Sequence, residues 1–93
     1  MRTYEAMCVF RSEDDIFNKG KDVVREELVK LDGKIVKEED MGPRTLAYPI
    51  KKASQAHYYY FVVEMGPDKA HQIEQALKLK TELLRFLMVR RDS

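Results

Sequence analysis

Few residues in this 93-residue chain have the type for covalent or metal chemistry, and their spacing does not suit it. Cys8 is the only thiol. It falls on the inward side of an alternating run, where it serves as a small hydrophobe, and a nucleophilic thiolate would need a base beside it. His57 lies in a basic turn and His71 near the start of a helix, so neither is brought to Cys8 by spacing. One Cys and two His without short-range spacing do not make a metal site. Glu38-Glu39-Asp40 lacks the further ligands of a calcium loop and reads as a solvated hairpin flank. The four glycines stand singly, so there is no phosphate-cradling loop. No catalytic residue, metal or cofactor is expected, and the chain is not read as an enzyme.

The cations point elsewhere. Arg2 opens the first alternating run, Arg44 lies in a second one, and Lys51-Lys52 follow it. Arg85, Arg90 and Arg91 belong to the last run and its exit. Ammonium and guanidinium groups neutralise a polyanion and release its counterions, so together these residues could track phosphates. The chain as a whole is nearly neutral, with 17 Lys+Arg against 16 Asp+Glu. Binding must therefore come from local clustering, weak alone and stronger beside a second protein. The run Tyr58-Tyr59-Tyr60-Phe61 suits sheet packing, a partner surface or base stacking. It lacks the Lys/Arg-Gly-aromatic signature of RNA-recognition domains.

These residues are positioned by six expected elements. Thr3 to Phe10 alternates as a strand, with Tyr4, Ala6, Cys8 and Phe10 inward. Ser12 and Asp15 form a capping-box-like start to a helix that runs to about Leu31, with Ile16, Val23, Val24, Leu28 and Leu31 as its apolar stripe. Gly20 weakens its middle by roughly 1 kcal/mol relative to Ala, and Gly33 stops it. A second strand begins near Lys34, bends at Gly42-Pro43 and resumes over Leu46–Ile50. There Leu46, Tyr48 and Ile50 share one buried face, with Arg44 in phase. Pro43 and Pro49 confine it to a sheet edge. After a polar turn over residues 51–57, Tyr58 to Met65 forms an aromatic, β-branched central strand. Asp68 caps a second helix with Ala70, Ile73, Ala76 and Leu77 inward, fading near Lys80. Leu84 to Arg90 is the last strand, with Phe86 and Met88 inward.

The order strand, helix, strand, strand, helix, strand predicts an α+β, ferredoxin-like βαββαβ fold over residues 1–93 as a single domain. Right-handed crossovers give a four-stranded antiparallel sheet of order 4-1-3-2. Both helices cover one face and leave the other open. About 60–65% of the unfolded surface is buried at this length, a modest core. No apolar run approaches about 18 residues, so no membrane span is expected. The N-terminus lacks the apolar core of a signal peptide, and the expected compartment is the cytoplasm.

The opening Met1-Arg2-Thr3-Tyr4-Glu5, the run Gly42-Pro43-Arg44-Thr45-Leu46-Ala47-Tyr48-Pro49-Ile50-Lys51, and the strands ending Val63-Glu64-Met65 and Leu87-Met88-Val89 resemble the bacterial small-subunit ribosomal protein S6 family along essentially the whole chain. Thr45 departs from the larger polar or charged residues usual in that run. The resemblance implies a ferredoxin-like, non-enzymatic component of the cytoplasmic small ribosomal subunit. It implies binding to the central domain of 16S ribosomal RNA together with ribosomal protein S18, as a heterodimer. By position it makes Arg2, Arg44, Tyr48, Lys51, Lys52, Arg85, Arg90 and Arg91 the candidates for RNA or partner contacts. Two alternatives exist on this topology. An acylphosphatase-like hydrolase needs a phosphate cradle with an Arg after the first strand, and Phe10-Arg11-Ser12 offers the Arg without the glycines. A small-ligand regulatory domain needs a polar pocket at a strand–helix junction.

Overall fold

Alternation along Arg2–Arg11 (β1) buries one side of the strand. Ala6, Cys8 and Phe10 have no exposed surface and Tyr4 almost none, while Thr3, Glu5 and Met7 on the other side are half-buried. The computed structural model describes residues 2–91. Met1, Asp92 and Ser93, parts of the expected opening motif and basic end, lie outside the described residues. The same alternation buries Tyr59, Phe61, Val63 and Met65 in Ala53–Met65 (β3). β1 pairs antiparallel with β3 on one side and with Leu83–Arg90 (β4) on the other, and Lys34–Ile50 (β2) pairs with β3. The sheet order β2-β3-β1-β4 is the expected 4-1-3-2 order read from the opposite edge. The inward faces of the strands form one core with both helices, Asp14–Lys30 (α1) and Pro67–Leu77 (α2), completing the α+β ferredoxin-like arrangement.

The helices differ from expectation at their ends and in one stripe. Glu13, not Ser12, is the N-cap of α1, and no side chain caps the turn; Asp14 and Asp15 supply the negative charge that suits a helix N-terminus. The left-handed residue that closes α1 is Asp32 (φ 61), one before Gly33. Gly66 caps α2 with Pro67 in its first turn, where a missing N–H is harmless, so Asp68 lies inside the helix. The buried stripe of α1 is Phe17, Gly20, Val24 and Leu28, while Ile16 and Val23 are half-buried. Gly20 is more than a weak point. A Cβ there would lie 2.6 Å from Phe10 Cδ1 and 3.2 Å from Glu82 Cβ, so only glycine lets α1 settle onto the Phe10 ring.

The edge strand β2 is one strand with three register shifts, at Ile35/Lys37, Asp40/Gly42 and Thr45/Ile50. Gly42 takes φ 85 with nothing near its missing Cβ, so conformation rather than space requires glycine there. Polar ties hold this irregular strand down. Arg25 Nε and Nη2 donate to the Glu38 carboxylate (3.0 and 2.6 Å), and the Tyr59 hydroxyl donates to Glu38 Oε1 (2.7 Å). Asp40 bonds the His57 ring, which stacks on Phe17, and accepts from the Gly42 N–H. The expected solvated flank is therefore a fastening from β2 to α1 and β3. The Arg25 hydrogen bonds hold the Glu38 carboxyl below its usual range, and the His57 contact does the same for Asp40. A depressed folded-state value contributes stability that is present above the unfolded value, about 4.3 for Glu, and lost as pH falls through the folded one. Glu38→Gln is expected to cost about 1–2 kcal/mol at neutral pH. That loss should shrink on acidification, as read by urea unfolding between about pH 3 and 7. A loss independent of pH would mean that the carboxylate charge contributes nothing.

Beyond Thr45 the chain bows out of the ladder, and Leu46 to Pro49 have no strand partner. Tyr48 is 82% exposed, which corrects the expectation that Leu46, Tyr48 and Ile50 share a buried face: without pairing, nothing lies above the Tyr48 ring. β3 also begins at Ala53, five residues earlier than expected, because the turn is only Lys51-Lys52. Both lysines take positive φ (50 and 68), the signature of a tight type I′ hairpin. Lys51 Nζ donates to the Leu83 carbonyl on the opposite edge strand (3.4 Å). The tip thus reaches across β1, and Leu46, Ile50, Ala53 and Tyr58 pack on Val9, Ala56 and Leu84. The face expected to be open is covered at this end by the chain's own hairpin. It stays open at the other, where Leu87 and Val89 are 59% and 53% exposed.

Candidate functional site

The candidate residues fall into two groups at opposite ends of the sheet. Arg44, Tyr48, Lys51, Lys52 and Arg85 surround the hairpin tip. Arg44 is level with Ala56 and Arg85 with Val9, the buried residues on which the tip packs. The Arg44 guanidinium lies 5.5 Å from the Tyr58 ring centroid, a cation–π contact that holds it over the sheet. Arg2, Arg90 and Arg91 form the second group. Arg2 is level with Met65, and Arg91 closes on β1 through its N–H to the Thr3 carbonyl (2.8 Å). Five strand steps from Arg85 to Arg90 separate the groups by roughly 17 Å.

The groups differ in charge. From Met41 to Val63 there is no Asp or Glu. Among the described residues, Arg44, Lys52 and Arg85 enter no ion pair, and all are exposed. The second group is mixed. Glu5 accepts from the Tyr60 hydroxyl (2.7 Å) and lies 3.4 Å from the Arg91 guanidinium. That carboxylate raises the Tyr60 phenol above its usual value, more than burial does. One end of the molecule is therefore a cationic tip without acidic neighbours in its stretch of chain, and at the other a carboxylate pairs with Arg91 beside partly apolar surface. The acid-free stretch is readable in the sequence; the Tyr60–Glu5–Arg91 cluster is not, because Arg91 follows the last strand and meets Glu5 only through β1–β4 pairing.

Chemistry at single side chains finds no support. Cys8 is fully buried, and burial pushes its thiol far above the ordinary range. Arg11, the last residue of β1, gives its Nε–H to the Thr81 carbonyl (3.2 Å). Among the described residues no group of His, Cys, Asp and Glu could hold a metal ion, and no helix is long and apolar enough to cross a membrane.

Residues 3–90 match the family described as Ribosomal protein S6. The chain is 42% identical to the small ribosomal subunit protein bS6 of Treponema pallidum over 93 residues, covering 100% of each chain. It is 39% identical to that of Treponema denticola over 90 residues, covering 97% of each. The crystal structure of 30S ribosomal protein S6 from Thermotoga maritima superposes with a TM-score of 0.87 at 26% identity, covering 97% of this chain and 87% of that one. The C-terminal domain of the MgtC protein from Mycobacterium tuberculosis superposes at a TM-score of 0.69 with 11% identity, covering 98% of this chain and 88% of that one, a likeness of fold alone.

Proposed function

The chain belongs to the ribosomal protein S6 family, and from that premise we propose that it binds the central domain of 16S ribosomal RNA together with ribosomal protein S18, as a heterodimer acting through one domain over residues 1–93. As a family member it is a component of the small ribosomal subunit in the cytoplasm, built for assembly rather than catalysis. The observation that carries the finer reading is the segregation of charge. Arg44, Lys51, Lys52 and Arg85 gather at an acid-free tip and meet RNA phosphates, with the exposed Tyr48 ring beside them for stacking. Leu87 and Val89, with Arg2, Arg90 and Arg91 around them, suit a protein partner, because apolar area left open on a sheet is stabilised by cover.

The test is binding to a central-domain ribosomal RNA fragment, with and without S18, across a salt series. The chain alone is expected to bind weakly and the pair clearly. If the pair neutralises about four to six phosphates, log affinity falls with log salt at a slope of roughly −3 to −5. Binding that ignores salt, or ignores S18, would refute the proposal.

A further inference from the structure

Where the hairpin tip meets β4 there is a cleft of about 240 Å³. Lys51 comes to it from the turn, Lys78 from the C-cap of α2 and Arg85 from β4, while Leu77, Leu83 and Phe86 give it an apolar floor. Two backbone features build it. The register shift between Val9 and Phe10 leaves Leu84 as an extra residue, so Leu83 packs with the helices and Leu84 under the hairpin. The Leu83 carbonyl then holds the Lys51 ammonium beside the cleft. No acidic side chain lines it, and among the described residues Lys78 and Arg85 have no ion-pair partner.

Three cations above an aliphatic and aromatic floor select a ligand that is anionic at one end and flat and apolar at the other. The cavity is smaller than the roughly 300–1,000 Å³ of small-molecule sites, so it suits one ring with its charge rather than a whole cofactor. Resting on the RNA reading above, we propose that this cleft takes a single unpaired nucleotide of the bound RNA. Its base lies against Phe86, and its phosphate lies among Lys51, Lys78 and Arg85. Bases splayed from a helix are the form in which proteins read RNA on aromatic side chains. Lys51 at the cleft is followed in the turn by the exposed Lys52, and the exposed Arg44 stands further along the same hairpin, so the flanking phosphates have cations to follow. That succession of cations along the hairpin favours a polynucleotide over an acidic peptide.

The test uses the full chain with S18 and the central-domain RNA fragment. Ultraviolet cross-linking with mass spectrometry is expected to place a one-nucleotide adduct on the tryptic peptide Phe86–Arg90. Lys78→Glu, at an exposed helix end, is expected to weaken RNA affinity by about tenfold. Lys30→Glu, the same charge change at the end of α1, should alter it less than about twofold. If the pair binds RNA, cross-links only through the hairpin tip and is indifferent to Lys78→Glu, the nucleotide site is overturned and the RNA reading stands. If Lys78→Glu instead weakens pairing with S18 in the absence of RNA, the cleft is a protein site and the proposal falls. If the wild-type pair does not bind the fragment, both readings fall.

Discussion

Replacing Phe10 by Ala is expected to cost about 3–5 kcal/mol, the range for deleting a buried aromatic ring. Phe10 has no exposed surface and meets Phe17 edge-on, at 5.6 Å between ring centroids and 73° between planes. It also fills the space that Gly20 leaves empty, and it pairs with Leu83 where β4 enters the sheet. The loss therefore opens a cavity where α1, β1 and β4 meet. A domain of this size holds about 5–15 kcal/mol in total, so the variant should show a much reduced urea midpoint. Filling the joint from the other side should also hurt. Gly20→Ala is expected to cost about 1–3 kcal/mol through overpacking, although Ala is the better helix former by about 1 kcal/mol. Combined with Phe10→Leu, its cost should fall short of the sum, because the smaller side chain makes room. Strictly additive costs would show that the two positions do not share that space.

The hairpin tip should show opposite effects on folding and binding. A type I′ turn favours Asn-Gly, and holding other residues left-handed costs about 1–2 kcal/mol each. Here both positions are lysine. Lys51→Asn with Lys52→Gly is therefore expected to raise stability by about 1 kcal/mol. If the tip meets RNA as proposed, the same change removes two phosphate contacts. At 0.1 M salt each contact is worth about five- to eightfold, so RNA affinity of the S18 pair should fall about 25- to 60-fold, with a shallower salt slope. Unfolding and RNA binding measured on the same variant separate the two effects. Unchanged affinity would remove the tip from the RNA interface, and lowered stability would show that the Lys51 anchor on Leu83 outweighs the turn strain.

What is legible in the sequence follows from period and composition. β1 over residues 4–10 and β3 over residues 59–65 have one face buried throughout, so their inward residues can be read directly. The prolines and the element order together place β2 on the edge. The α1 stripe is harder, because Phe17 and Gly20 become intelligible only once Phe10 is known to lie opposite. Tyr48 misleads because alternation predicts burial only while a strand stays paired, and β2 leaves the ladder after Thr45. The positions of the candidate cations along the chain are plain, but their division into two groups is not. That division depends on the hairpin reaching over β1 to the Leu83 carbonyl, a contact between residues 51 and 83 that no local pattern encodes. Lys78 joins the cleft for the same reason, through the close approach of the end of α2 to β4.

β1 is hydrogen-bonded along both edges, to β3 and to β4, so the earliest strand to be synthesised is completed by the latest. At about 5–20 residues per second, roughly 4–14 s pass between the making of β1 and the arrival of β4. Through that interval β1 has one apolar face and at least one bare edge, the features that recruit chaperones or neighbouring nascent chains. Closure of the sheet is thus coupled to the synthesis of β4. A product truncated before Leu83 presents its central strand as a bare edge, the feature that invites pairing with other chains.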